Sequence, residues 1–300
     1  MAPTPLSSEK FAEVACSHDA GDIAMGIDFS TDRTATALAV IAWPAEGLRR
    51  LVGLWRPCDH EAVAEVLSGS RYAVAAVDVP FGWPVSFFDM LTEHQKGPLQ
   101  HDLVPGSKPA ETWRVDEVAL RHTDRFIYQR YGRRPIAVGF EKLGATAASW
   151  ALIEPWVFDA AEYRDGSQRG NLGRVVETYP TAQVLAWGQQ GVLDPNGSDH
   201  PARSVPTVIR LARTFSIDLG HHREVLESSR AVCDHARDAF VCALTAALIL
   251  REPEACHPMV SDQVANAAAV EGVIWLNDQR PSISLPQPQV AAPTLPTGHG

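Results

Sequence analysis

The chain has 300 residues, 45% of them hydrophobic and 21% charged, and a net charge of −10 at pH 7. That is material for one large globular domain or two small ones, and the composition excludes a fibrous or wholly disordered chain. An acidic whole argues against indiscriminate nucleic-acid binding through a basic surface, while leaving room for a local basic patch.

No run approaches the roughly 18 apolar residues of a transmembrane helix. The opening stretch MAPTPLSSEKFAEVACSHDAGD lacks the basic start and apolar core of a signal peptide. Five cysteines (Cys16, Cys58, Cys233, Cys242, Cys256) form no CxxC pair. That usage fits a reducing compartment, so a cytoplasmic location is expected.

Residues 1–20 are polar, contain Pro and Ser, and are expected to be flexible. A strand is predicted over 23–29 (IAMGIDF), then a turn at STDR, a second strand in TATALAVIAW, a turn at PAEG and a third strand in LRRLVGLW. The short loops make these an antiparallel meander. Asp59 is placed to cap a helix over 60–68, whose Ala62, Val63, Val66 and Leu67 share one face. YAVAAVDV is nearly all apolar, as a central strand covered on both faces is.

Residues 81–170 read as a helical insertion, with helical stretches around 112–131 and 144–162 between Gly/Pro breaks. RVVETYP supplies a later strand. Residues 203–217 form an amphipathic helix with Arg210 and Arg213 off its apolar side. A last, largely buried helix starts near Val232 and runs to about Leu250. The whole is an α/β layout, a single domain over 21–279 followed by a Pro-rich tail, 280–300, expected to be disordered.

Four acids punctuate this apolar framework: Asp28 in GIDFS, Asp78 in AVDVPFG, Glu177 in RVVETYP and Asp238 in DHARDAFVCAL. A carboxylate is costly to bury unless paired or bound to a metal. Converging carboxylates suit hard divalent cations such as Mg²⁺. Asp28 and Asp78 each end a strand, and they lie side by side if those strands are neighbours; each also suits a turn. Asp234 and Asp238 share a helix face, but Asp234 also suits the helix start. Glu177 reads equally as a ligand or as the partner of an arginine.

GIDFS, AVDVPFGWP, RHTDR, RVVETYP, DHARDAFVCALTAAL and EGVIWL, in this order and spacing, resemble the domain-of-unknown-function family 429, whose members are described as predicted nucleases with an RNase H-like fold. The resemblance runs from about residue 23 to residue 277. It implies a five-stranded mixed sheet flanked by helices, with the helical insertion before the fifth strand. In that superfamily a first-strand Asp, an acid after the fourth strand and an acid on a late helix bind divalent metal. By position these are Asp28, Asp78 and Asp238. DHARDAF is also similar to the late helix of RuvC-type resolvases, which carry a second acid in the same turn. Here His235 lies three residues before Asp238 and Asp234 four before. The fourth position is open between Glu177, Asp234 and His235.

Such a site implies metal-assisted phosphodiester hydrolysis, with two Mg²⁺ or Mn²⁺ ions roughly 4 Å apart bridged by Asp28. Nucleic acid, DNA or RNA, is the implied partner, and no membrane is. RHTDR places Arg121, Thr123, Asp124 and Arg125 at a helix start, where donors hold phosphate. Arg130, Arg133 and Arg134 extend that patch, and Trp83, Trp113, Tyr128 and Tyr131 are available to stack on bases. The same aromatics equally suit the insertion's own small core, with the arginines solvating its surface.

Two other readings stand beside the nuclease. GIDFSTDRTATAL also resembles the first phosphate loop of ATP-dependent phosphotransferases of the actin and sugar-kinase type. Those proteins need a second copy of the fold and a glycine-rich adenosine loop, and neither is visible. A non-catalytic nucleic-acid-binding module is the other, against which retention of all three acids argues. GxSxG, GxxxxGK[ST] and strand-following GxGxxG motifs are absent.

Overall fold

A computed structural model describes residues 4–69, 71–97, 118–139, 142–158, 173–193, 200–264 and 270–281. Among the described residues six strands form the main sheet: β1 (Ile23–Asp28), β2 (Ala37–Ala42), β3 (Arg49–Trp55), β4 (Val74–Asp78), β5 (Val175–Glu177) and β6 (Ile217–Asp218). Their order is β5-β4-β1-β2-β3-β6. β2 is antiparallel to β1 and β3, so the expected meander is present. The other neighbours, β1–β4, β4–β5 and β3–β6, are parallel. The sheet is therefore mixed, with six strands where five were expected. The extra one, β6, has two residues at the edge, too short to leave a period-2 signal in sequence. A separate antiparallel pair joins β7 (Cys256–Pro258) to β8 (Trp275–Asn277).

The helices are α1 (Ser8–Cys16), α2 (His60–Ser68), α3 (Val85–Lys96), α4 (His122–Tyr131), α5 (Leu143–Val157), α6 (Pro180–Gln189), α7 (Val205–Thr214), α8 (Arg223–Glu227) and α9 (Asp234–Arg251). α2 has the expected bounds, capped by Asp59, whose carboxylate accepts from Glu61 N at 3.2 Å. α1 falls within the stretch 1–20 that was expected to be flexible. Ser7 caps it by accepting from Lys10 N at 3.3 Å, and Phe11 and Ala15, one turn apart, bury their side chains. Of the helical stretch expected around 112–131, the part before residue 118 lies outside the described residues, as does Trp113. So does 282–300, most of the expected tail. α3, α4 and α5 all lie between β4 and β5. Among the described residues no helix is long and apolar enough to cross a membrane.

Strand alternation divides the interior into two layers. Ile23, Met25 and Ile27 of β1, with Val77 of β4, join Phe11, Val63, Leu67 and Trp150 in one layer. Ala24 of β1, Ala76 of β4 and Ile41 of β2 join Val184, Leu211, Phe240 and Leu244 in the other. Burial on both faces explains why β1 and β4 read as unbroken apolar runs. Each fully buried Leu or Phe here contributes about 1.5–3 kcal/mol.

α9 lies directly on β1. A Cβ added to Gly26 would fall on the backbone of Ala239 and Ala243, well inside contact distance. Glycine on the strand and alanines on the helix let the two backbones meet. That close approach sets the height of Asp238 above the sheet.

Candidate active site

β1 and β4 run parallel with Asp28 opposite Asp78 in register. Asp28 shares its parity with Ala24, and Asp78 with Ala76, so both carboxylates belong to the sheet face that α9 covers. Asp238 is the fifth residue of α9 and is buried. All three line one cavity of about 340 Å³, whose wall also includes Glu177, Arg121, Asp124, Lys142, Tyr179, His200, Arg203 and His235. The cavity opens past the carboxyl ends of the parallel strands, where open α/β sheets place their ligands.

The charge here is concentrated. Burial pushes the Asp78 carboxyl well above the usual carboxylate range, and Asp28 and Asp238 push it further. Among the described residues no hydrogen bond engages the Asp78 carboxylate. Burial, then Asp28, raises Asp238 to about 7, while Arg203 opposes the shift. Arg203 Nε donates to Asp238 Oδ2 at 2.5 Å. His235 Nδ1 stands 2.5 Å from Asp28 Oδ2 and donates to it.

The donor chemistry fits a hard cation, because oxygen ligands converge and Asp78 has no counter-charge bonded to it. The side chains as they stand do not yet form its ligand shell: among the described residues no group of three or more His, Cys, Asp or Glu is arranged to hold a metal ion. Asp28 is engaged by His235 and Asp238 by Arg203. A divalent cation would have to take the place of those partners.

Glu177 lines the same cavity but reaches it from the other face of the sheet. It pairs in register with Val77 and shares its parity with Val175, both of which pack in the layer opposite α9. There it meets Arg121, which donates to Glu177 Oε1 at 2.6 Å and Oε2 at 2.9 Å, and to Asp124 Oδ2 and Oδ1 at 3.0 Å each. Phe81 N donates to Glu177 Oε2 at 3.0 Å. Burial raises the Glu177 carboxyl, and Arg121 opposes the rise. Gly272 closes over this pair with φ +86°; a Cβ there would sit 2.7 Å from Glu177 Oε2. Glu271, beside it, accepts from His122 N at 2.7 Å and Val85 N at 2.8 Å. The ETYP, RHTD and EG segments thus interlock as a buried ionic knot whose Arg121, Asp124 and Glu177 form part of the cavity wall.

That knot engages the residues expected to hold phosphate. Arg121 is 1% exposed and both of its edges are in use. Asp124 is its partner, and Thr123 Oγ1 accepts from Ile274 N at 3.1 Å. Arg125 donates to Leu120 O at 2.8 Å. Arg130 pairs with Asp278 at 3.0 Å, and Arg133 bonds the Tyr179 hydroxyl. Trp83 meets Phe88 edge-on with ring centroids 6.3 Å apart, Tyr131 packs in a small core with Ile127 and Met259, and Tyr128 is exposed. Asp234 pairs with the buried Arg237 and does not line the cavity; His235 does.

Lys142, Tyr179, His200 and Arg203 line the cavity without having been singled out in the sequence. Arg203 opens the predicted amphipathic helix but in fact ends the short turn Pro201–Arg203 before it. A lone arginine among many carries no local signal, and only the packing of that turn on α9 brings it to Asp238.

The family model described as "Protein of unknown function (DUF429)" matches residues 26–263, and the chain belongs to that family. The match includes Asp28, Asp78, Glu177, Arg203 and Asp238 and stops short of Glu271. Comparison with curated proteins and with solved structures found no match.

Proposed function

We propose that this member of the family hydrolyses phosphodiester bonds of nucleic acid with the help of divalent metal, on an RNase H-like sheet. The observation that carries the reading is the convergence of Asp28, Asp78 and Asp238 from two adjacent parallel strands and one helix onto a single cavity. The strand order β5-β4-β1-β2-β3, with β1 to β3 antiparallel, supports the RNase H-like assignment. β6 is then an edge addition. The cysteine usage of the sequence adds a reducing, cytoplasmic setting to this reading.

Asp28, Asp78 and Asp238 would hold Mg²⁺ or Mn²⁺. When bound, such ions lower the pKa of a water molecule and stabilise the leaving oxygen. The chain's own residues supply the remainder. His235, whose Nδ1 lies against Asp28, lines the cavity, where its imidazole can take or give a proton. Arg203 and Lys142 at the cavity wall offer positive charge to phosphate oxygens. The knot of Arg121, Asp124 and Glu177 holds the cavity floor in shape. The hydroxyl loop after β1, which suggested a phosphotransferase, is bonded within itself: Ser30 N donates to Thr36 Oγ1 at 3.0 Å and Thr34 N to Asp32 Oδ1 at 2.9 Å.

The test is a cleavage panel of single- and double-stranded DNA and RNA with Mg²⁺, Mn²⁺ or chelator. Metal-dependent cleavage that Asp28→Asn and Asp78→Asn each reduce at least a hundredfold is the expected result. Cleavage that survives Asp28→Asn would overturn the mechanism. Turnover of ATP without any cleavage would favour the phosphotransferase.

A further inference from the structure

Two arginines hold the acids at this site, and they do so differently. Arg121 is a permanent member of the interior: 1% exposed and bonded along both edges by two carboxylates. Arg203 reaches in from the rim. Its side chain is 37% exposed, while the Asp238 carboxylate it contacts is 5% exposed. Its base is fixed, because Pro201 and Ala202 are buried and Arg203 N donates to His200 O at 3.0 Å. Among the described residues its head is held through Nε, with no hydrogen-bond partner for either Nη group.

A contact of this kind opens at low cost. Released from Asp238, the guanidinium returns to water, so it leaves no buried charge behind on its own side. The carboxylate does need a replacement cation, because Asp28 and Asp78 lie beside it. Arg203 also acts electrostatically on both of those acids. Among the described residues it is the permanently charged side chain bonded directly to one of these three acids.

Resting on the metal site proposed above, we propose that Arg203 is a displaceable counter-cation: it neutralises Asp238 while that carboxylate has no metal, and it leaves when a divalent cation binds. Once released, its planar fork remains at the cavity mouth, suited to two oxygens of an incoming phosphate. Metal loading thus turns one arginine from a partner of the ligand into a partner of the substrate.

The sign of one measurement separates this from a structural role. A counter-cation competes with the metal, so removing its charge tightens metal binding. An arginine that merely orients Asp238 helps the metal, so removing it weakens binding. Mg²⁺ binding is measured by titration calorimetry on the whole chain for wild type, Arg203→Gln and Arg203→Lys, with folding checked by circular dichroism. Arg203→Gln is expected to bind Mg²⁺ about tenfold more tightly, and Arg203→Lys to stay near wild type. Unchanged or weaker Mg²⁺ binding in Arg203→Gln, with wild type binding normally, overturns the role of Arg203 and leaves the metal site standing. Absence of Mg²⁺ binding in wild type and both variants overturns both. The wild-type chain gives a second reading that needs no variant. The Arg203 Nε–H resonance is expected to shift and to exchange faster with water as Mg²⁺ is added; an unmoved resonance at saturating Mg²⁺ overturns the proposal.

Discussion

Asp28 and Asp78 stand opposite each other at the ends of two adjacent parallel strands, and among the described residues only the Asp28 carboxylate of the two has a hydrogen-bonded partner. Burial and two neighbouring carboxylates hold the Asp78 carboxyl far above its ordinary range. Asp78 is thus a source of instability in the metal-free protein. Asp78→Asn is expected to raise stability by about 1–2 kcal/mol at pH 8 without metal, or roughly 2–6 °C in Tm. Thermal unfolding with chelator present measures it, and a lower Tm would contradict the account.

Glu177→Gln should do the reverse. It leaves Arg121 buried with one carboxylate instead of two, and breaking a buried ion pair from one side costs about 3–5 kcal/mol. Denaturant unfolding is the measurement. A loss under about 1 kcal/mol would mean that Asp124 suffices alone.

The Asp238 carboxyl titrates near 7 in the folded chain against 3.8 for the free group. Between those values the folded state binds the proton and the unfolded state does not. This group's contribution to stability therefore falls as pH rises from about 4 to about 7, by roughly 2–4 kcal/mol, and is flat beyond. Asp238→Asn lacks this contribution. Its stability relative to wild type is expected to climb with pH across that window, as read from urea melts at pH 5, 6, 7 and 8. A constant difference would remove Asp238 as the titrating group.

Gly26→Ala is expected to unfold the protein or to destabilise it by more than about 4 kcal/mol. The new methyl group meets helix backbone, which cannot rotate aside. Gly173→Ala, whose Cβ would meet nothing nearer than 3.8 Å, serves as the control and should stay within about 1 kcal/mol of wild type. Equal behaviour of the two variants would show that α9 does not need its close seat on β1.

The framework was legible because its signals are local. Alternation and unbroken apolar runs marked β1 to β4, Asp59 marked the start of α2, and the long apolar run marked α9. Weak or distributed signals were missed. β6 has two residues, and α1 hides its two buried side chains in a polar stretch. For the arginine patch, sequence shows the charges but not their partners. Arg121 meets Glu177 across 56 residues, a separation that no window on the chain spans.

By itself the sequence determined that acids would cap the buried strands and sit within the last helix, since a carboxylate next to an apolar run is visible wherever it occurs. It also determined that Asp28 and Asp78 would meet if their strands paired. Only the tertiary structure decided which acids share a face. Register and parity turn Asp28 and Asp78 toward α9 and turn Glu177 to the opposite layer, where Arg121 takes it. Only packing brought Arg203 to Asp238 and His235 to Asp28. Side chains on a strand alternate with a period of two, so a shift of one residue in pairing exchanges the two faces, and pairing is a property of the sheet rather than of any strand.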